Sequence, residues 1–522
     1  MSYDHISIGG GVIGINSFIY LIKKILNNKL KKKINICIVD QNISNIPGGI
    51  GYGKETSLYG YFNNPLRLSP SEIQNYYLNL KNFIKLKEYI EEKGSKQDIQ
   101  QFKKNIRILK SSNILKKKEI YLPRIAVAFW HEYLMARYLK KIFKLKQTIN
   151  IDFFEGEVVS INKKNRVNIL STKKNFVQYS LDLKKLNENK ISFNKIKLKK
   201  QTLASKSITI GLGILPPKTL TTNNFNNPNY IWDFYKDGAT SNLISILKKN
   251  YLKKNVIRLG FIGSKAGFLE SLSLINDYKK KLGEKLIISC FSRSFESLEP
   301  AQNINNKKIT LRFFKKGRKE IDTAFKIFSE VLKEFEYQKN VKNKKYLVWT
   351  EILKKNILDH YIDSLNNKEL KIYQSIYLSK LRDLTRFTFP DTVKLKNNMV
   401  KNKYIIIIKE KVNKIKLDKK FIKVYSQKHS YNFDILVNVS GPSNIYEASK
   451  NISIYSSLIK LNNNKKINFN VNKNFSLKKD KTIYIPGVIA EGFNNDRKTI
   501  IKAIINNSNI SSESIYYNFL IK

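Results

Sequence analysis

The chain has 522 residues, 42% hydrophobic and 26% charged, an ordinary globular usage that excludes a disordered chain, a collagen-like repeat and a disulfide-rich secreted module. Its 96 Lys and Arg stand against 41 Asp and Glu, a formal net charge of +55, which on its own points to nucleic acid or an anionic membrane surface. The lysines, however, run from Lys23 to Lys522, and runs such as Lys31 to Lys33 and Lys116 to Lys118 read as solvated surface, so most of the surplus is assigned to a chain-wide bias.

In chain order, the first element is a short apolar strand, His5 to Ile8, followed at once by Gly9-Gly10-Gly11-Val12-Ile13-Gly14. Apolar residues at Phe18, Ile19, Leu21, Ile22, Ile25 and Leu26 predict a helix from Ile15 to about Leu30. A second strand, Ile34 to Val39, ends in Asp40. Strand, glycine turn, helix, strand and terminal acid make a βαβ nucleotide-binding unit. Gly9 permits the tight turn, Gly11 lets backbone approach a pyrophosphate, and Gly14 lets the helix pack closely on the strand. Val12 and Ile13 are further candidate cofactor contacts, and the helix N-terminus offers free N–H groups and a positive dipole end. Asp40 can accept hydroxyls of an adenosine ribose, although it lies somewhat further from Gly14 than the ~20 residues usual for that role.

Next comes Pro47-Gly48-Gly49-Ile50-Gly51-Tyr52-Gly53, then Phe62-Asn63-Asn64-Pro65-Leu66-Arg67-Leu68-Ser69. Its glycines allow close backbone approach to a ligand, and its place after the ribose acid makes it a cofactor-contacting loop. Gly48, Gly49, Tyr52, Asn64 and Arg67 are its candidate contacts. The stretch from Lys163 to Gln201 is rich in Lys and Asn and is expected to form an irregular hairpin. Val256 to Gly263 reads as another strand, leading into Ser264-Lys265-Ala266-Gly267-Phe268-Leu269-Glu270 and a helix to Ile275. The following strand, Lys285 to Phe291, ends in Ser292-Arg293-Ser294. Thr323 to Lys403 is expected to be mainly helical.

Cys37 and Cys290 lie in apolar strand-like runs and read as small buried hydrophobes. The four histidines have no metal-ligand spacing, so no metal is expected. No stretch approaches the ~18 apolar residues of a membrane span, and a soluble cytoplasmic protein is expected. No Ser/His/Asp set, cysteine nucleophile or paired carboxylates stand out, so no catalytic side chain is assigned.

The order of strand, Gly9-x-Gly11-x-x-Gly14, Asp40 and the Gly-Gly-x-Gly-Tyr loop resembles the FAD/NAD(P)-binding proteins related to flavin-dependent N-hydroxylating monooxygenases. Leu122-Pro123-Arg124 with Trp130-His131-Glu132-Tyr133-Leu134 resembles that family's Pro-Arg segment and following helix. Thr209 to Pro217, Asn438 to Pro442, and Ile483-Tyr484-Ile485-Pro486-Gly487 resemble its later flavin-side strands. The segment from Gly263 to Glu270 resembles its nicotinamide-nucleotide unit, with Lys265 standing where the family has its second glycine.

The resemblance implies an α/β fold of two Rossmann-like dinucleotide-binding domains, the NAD(P) domain inserted into the FAD domain. The expected division is residues 1–220 and 426–522 for FAD and 221–425 for NAD(P). It implies FAD contacts extending to Gly487, and NADPH contacts at Gly263, Ser264, Lys265, Ser292 and Arg293. Arg293 stands where these flavoproteins hold the 2′-phosphate of NADPH, which a forked guanidinium suits. The implied activity is an NAD(P)H-using oxidoreductase, a monooxygenase of a small molecule acting through a flavin hydroperoxide. Two alternatives stay open: a flavoprotein acting on RNA through its basic surface, and a non-catalytic flavin-binding protein.

Overall fold

The computed structural model describes residues 2–521 apart from 29, 31, 55–59, 61, 63–64, 67–68, 95, 112–119, 145–148, 222–226, 283–284, 293–298, 301–308, 342, 386, 419, 464–467 and 491–499. Strands are numbered in chain order. The first sheet has seven strands and is built on β1 (Ser2–Ile8), β2 (Ile34–Asp40), β3 (Ile149–Glu155), β4 (Val158–Lys164), β5 (Val167–Leu181), β6 (Phe193–Ile210) and β17 (Ile483–Tyr484). Their spatial order is β17-β6-β1-β2-β3-β5-β4. β17, β6, β1, β2 and β3 run parallel, with His5 beside Ile36 and Ile6 beside Ile208.

Central strands covered on both faces read as continuous apolar runs, and β2, INICIVD, is buried along nearly its whole length. The helix Val12–Asn27 buries Ile15, Phe18, Leu21, Ile22 and Ile25 at helical spacing. It packs between the sheet, the helix Ala126–Lys144 and the C-terminal helix Ile500–Ile515. It begins three residues before Ile15, the expected start, because the turn feeds directly into helical backbone at Val12.

The Lys/Asn-rich stretch forms more than the irregular hairpin expected of it. β4, β5 and β6 make an antiparallel ladder, interrupted by register shifts between Val158 and Ser160, Ser171 and Phe176, and Val177 and Tyr179, with a five-residue helix, Leu183–Asn187, near the far end. The lysines fall on solvated positions while Ile161, Leu170, Phe176 and Leu203 face the core. Period-2 alternation had been obscured by polar composition.

The second sheet has five strands in the order β12-β9-β8-β16-β7. These are β7 (Tyr230–Ile231), β8 (Ile257–Ile262), β9 (Leu286–Phe291), β12 (Ile405–Ile408) and β16 (Ile435–Asn438), all parallel. A three-stranded antiparallel meander of β13 (Val412–Leu417), β14 (Ile422–Ser426) and β15 (Ser430–Phe433) packs beside it through Val424, Ile415 and Phe433. β10 (Glu299–Pro300) pairs with β11 (Phe387–Thr388) at the edge of a helical insert.

The second sheet lies within the sequence span of the first, as the nested plan requires. The chain leaves it later than the expected boundary at 426, because β16 inserts between β8 and β7 and keeps the chain in this sheet through Asn438. The helical insert spans Ala324–Asn340 to Leu378–Leu384 and has its own core around Phe314, Ile327, Val331 and Ile352. Cys37 and Cys290 are both buried and free. Among the described residues no group of His, Cys, Asp and Glu could hold a metal, and no helix is long and apolar enough to cross a membrane.

Candidate functional site: paired dinucleotide turns

The turn after β1 is shaped by backbone contacts that leave no room for side chains. Gly9 is left-handed (φ +94°), its N–H donates to Val39 O at 2.7 Å, and a Cβ there would lie 2.3 Å from Gly211 O. A Cβ on Gly14 would lie 2.0 Å from Gly9 O, so the helix sits directly on the turn. Gly10 is closed off by Ile46. The Gly-rich loop then docks on this turn: Gly48 N–H donates to Gly10 O at 3.1 Å, Gly48 bridges to Gly11, and a Cβ on Gly49 would come within 2.8 Å of Gly11 Cα.

Two described glycines stand apart from the rest. Gly11 and Gly51 have neither a left-handed φ nor any atom within 3.4 Å of a built Cβ, the nearest to Gly11 being Gly49 Cα at 3.7 Å. Nothing in the chain itself demands glycine there. Both lie in the two turns that touch, and Gly11 precedes the sixteen-residue helix Val12–Asn27, whose N-terminus carries no side-chain cap and whose positive dipole end favours an anion. A cradle of this shape suits a pyrophosphate.

Asp40 lies at the end of β2, buried, with Oδ2 accepting the Gly10 N–H at 2.6 Å. Oδ1 accepts from Asn42 N at 3.1 Å and Asn45 Nδ2 at 3.4 Å. Burial raises the carboxyl from its ordinary value, and these three donors oppose the rise. A carboxylate has about four acceptor positions, so one remains, enough for a single ribose hydroxyl rather than the pair expected. Val12 and Ile13 are buried at the helix start, and Gly487 packs against Ile13, where a Cβ would meet Ile13 Cδ1 at 2.6 Å. The C-terminal return thus closes on the first turn. Asn64 and Arg67 lie outside the described residues.

The turn after β8 repeats the first. Gly263 is left-handed (φ +106°), its N–H donates to Phe291 O at 2.9 Å, and a Cβ would lie 2.7 Å from Val439 O and Ser440 Cα. Gly9 with Val39 and Gly211 therefore matches Gly263 with Phe291 and Ser440, element for element. Ser264 and Ser292 hydroxyls meet at 2.7 Å, tying the turn to the end of the next strand. Lys265 is exposed at the start of the helix Ala266–Leu282. At the third small-residue position stands Phe268, fully buried with its ring 5.2 Å from Phe261. Arg293 lies outside the described residues.

Tyr52 lies near the point where the two units meet. Its hydroxyl is raised by burial, with Arg124 lowering it and Glu270 raising it further. Those two residues form an ion pair, Arg124 Nη2 to Glu270 Oε2 at 2.5 Å, with side chains only 17% and 14% exposed. Sequence reading named both residues but not their pairing, which spans 146 positions and has no local signal. Tyr235, also unassigned from sequence, places its hydroxyl 3.5 Å from Glu270 Oε1.

No protein-family model matches the chain. Among solved structures, the fold is similar to the FAD-bound cadaverine monooxygenase of the desferrioxamine pathway from Erwinia amylovora, with TM-score 0.51 and 10% identity over 100% of this chain and 96% of that one. L-lysine 6-monooxygenase from Pseudomonas syringae (TM-score 0.49) and the ornithine hydroxylase of Pseudomonas aeruginosa (0.48) align at 10% identity over 99% of each chain. At this identity the likeness is one of fold: two dinucleotide-binding units, one nested in the other.

Proposed function

We propose that this chain is a FAD-dependent oxidoreductase that takes electrons from NADPH and hydroxylates a small molecule. The observation that carries the reading is the cradle at Gly11, a glycine that no protein neighbour and no backbone angle requires. The FAD-bound relative of the same fold supports the cofactor, and its activity as a cadaverine monooxygenase supports a small-molecule substrate.

In this reading the backbone from Gly9 to Gly14 and the helix N-terminus hold the pyrophosphate, and the remaining acceptor position of Asp40 takes one ribose hydroxyl. Gly48 and Gly49 press the loop onto the turn, and Asn64 and Arg67 are proposed as further cofactor contacts. The second turn, with Gly263, Ser264 and Ser292, takes the nicotinamide nucleotide, while Lys265 and Arg293 supply cations for its phosphates. Bound flavin supplies two-electron chemistry between nicotinamide and oxygen. The protein's own share is to bind, orient and keep water out. A second reading, flavin binding without NADPH turnover, draws on Lys265 and Phe268, which occupy two positions that close pyrophosphate approach reserves for small residues.

Gly11→Ala and Gly14→Ala separate ligand from fold. Gly11→Ala should keep its melting temperature without cofactor and lose at least tenfold in FAD affinity, since its methyl meets only the cradle. Gly14→Ala should unfold or melt far lower, because its methyl meets backbone oxygen at 2.0 Å. Equal FAD binding by Gly11→Ala and wild type would remove the observation on which the proposal stands.

A further inference from the structure

Two chain crossings join the dinucleotide units, and they run side by side. Pro217 and Pro442 form an antiparallel bridge, and Ser443 N–H donates to Pro216 O at 2.9 Å. Each crossing carries one left-handed glycine, Gly213 (φ +75°) and Gly441 (φ +93°), and a Cβ on either would meet nothing within 4 Å. Paired strands of linker with open glycines make an axis about which two bodies can turn, since few packed atoms resist the rotation.

Away from that axis, the units meet at a small buried aromatic cluster, where Tyr121 packs 5.3 Å from Phe389, and at specific polar contacts that fix direction. Arg124 sits on the flavin-side unit, where its N–H donates to Gly60 O at 2.7 Å and its guanidinium lies flat on Gly60, with no room for a Cβ there. From that seat it reaches Glu270, on the helix that follows the second turn. This ion pair joins the two units directly. Tyr235 completes the cluster, its ring 6.0 Å from the guanidinium. A lighter tie, Asn42 Nδ2 donating to Asp237 Oδ2 at 2.9 Å, links the loop after Asp40 to the segment between β7 and the helix Ala239–Lys253 of the second unit.

Stability does not account for such a pair. Taking both charges out of water costs about as much as their attraction returns. Arg124 Nε is moreover buried without a protein partner, an added cost. What a buried, directional pair does supply is one fixed geometry.

Resting on the flavoprotein reading above, we propose that Arg124 and Glu270 are positioning residues. They set the nicotinamide-side unit against the flavin-side unit at one angle about the Gly213–Gly441 axis. With both cofactors bound, that arrangement would bring the nicotinamide and the flavin together for two-electron transfer from the one to the other. The two residues act through the placement of the units and supply no reacting group.

The test uses full-length protein loaded with FAD, with Glu270→Gln, Glu270→Arg, Arg124→Glu and the double exchange Arg124→Glu/Glu270→Arg. Small-angle X-ray scattering reads the relative placement of the units, and stopped-flow absorbance reads flavin reduction at saturating NADPH. The expected result is unchanged FAD content, a larger radius of gyration for both single reversals, and at least a tenfold slower reduction. The double exchange should recover both readouts by more than half, and Glu270→Gln, nearly isosteric, should show the slower reduction without any risk of misfolding by charge reversal. Scattering and rate unchanged in the single reversals would overturn the proposal. So would a double exchange no better than the singles, or loss of FAD in Glu270→Gln. If wild type is not reduced by NADPH, the functional reading fails, and the scattering arm still decides the pair.

Discussion

His131 shows how much a single side chain can conceal from its own sequence. It is fully buried beside Trp130, with ring centroids 4.7 Å apart, and neither ring nitrogen has a partner. Burial lowers its imidazole to about 3, so the folded protein refuses a proton that the unfolded chain accepts near pH 6.5. With more protons bound to the unfolded state, stability present above pH 6.5 is lost as pH falls toward 3. His131→Phe keeps the ring stack and abolishes that loss. Urea melts should show the variant within about 1 kcal/mol of wild type at pH 7.5 and about 2–3 kcal/mol more stable at pH 4.5. An equal difference at both pH values would refute the assignment. His5, also lowered to about 3 by burial, behaves alike in titration, but its ring bonds to Ser207 and Ser7, so its removal costs stability at every pH. Glycines divide in a similar way: sequence marks all of them, and only the packing around Gly9, Gly14 and Gly11 tells a steric requirement from a ligand's.

At the scale of elements, the first βαβ unit was legible nearly residue for residue, because strand, turn and helix carry local signals of composition and period. β4 to β6 were not, since lysines on the solvated face masked the alternation beneath. The exit from the second sheet was also missed: β16 joins β8 through contacts far apart in sequence, and no local residue marks the boundary. The helical insert depends on one long-range anchor of this kind. Glu334, fully buried on the helix Ala324–Asn340, accepts the N–H groups of Arg312, Phe313 and Phe314 at 2.9, 2.6 and 3.0 Å, and Gln338 Nε2 at 2.6 Å. Glu334→Gln removes the charge that these donors share and should cost the insert about 2–3 kcal/mol in a urea melt. FAD content should not change, because the insert has its own core. A loss under about 0.5 kcal/mol would mean the segment 309–314 is held by its apolar contacts alone.

For the molecule as a whole, the +55 charge and the nested fold bear on different questions. Two phosphate-bearing cofactors need a few N–H groups and one or two cations, so they use little of the surplus. Spread lysines attract polyanions without selecting among them, and binding to RNA or heparin should fall steeply with salt and show no sequence preference. Filter binding with unrelated RNAs at 50 and 200 mM salt checks this, and a preference that survives the higher salt would reopen the RNA-acting alternative. Both turns, at Gly11 and at Gly263, are proposed to serve one path of electrons. The most direct measurement is the visible absorption of purified, FAD-supplemented protein before and after anaerobic addition of NADPH. The proposed path of electrons requires a bound, yellow flavin that NADPH bleaches in proportion to the amount added. A protein that takes up no FAD, or one whose bound flavin stays oxidised with NADPH in excess, contradicts it.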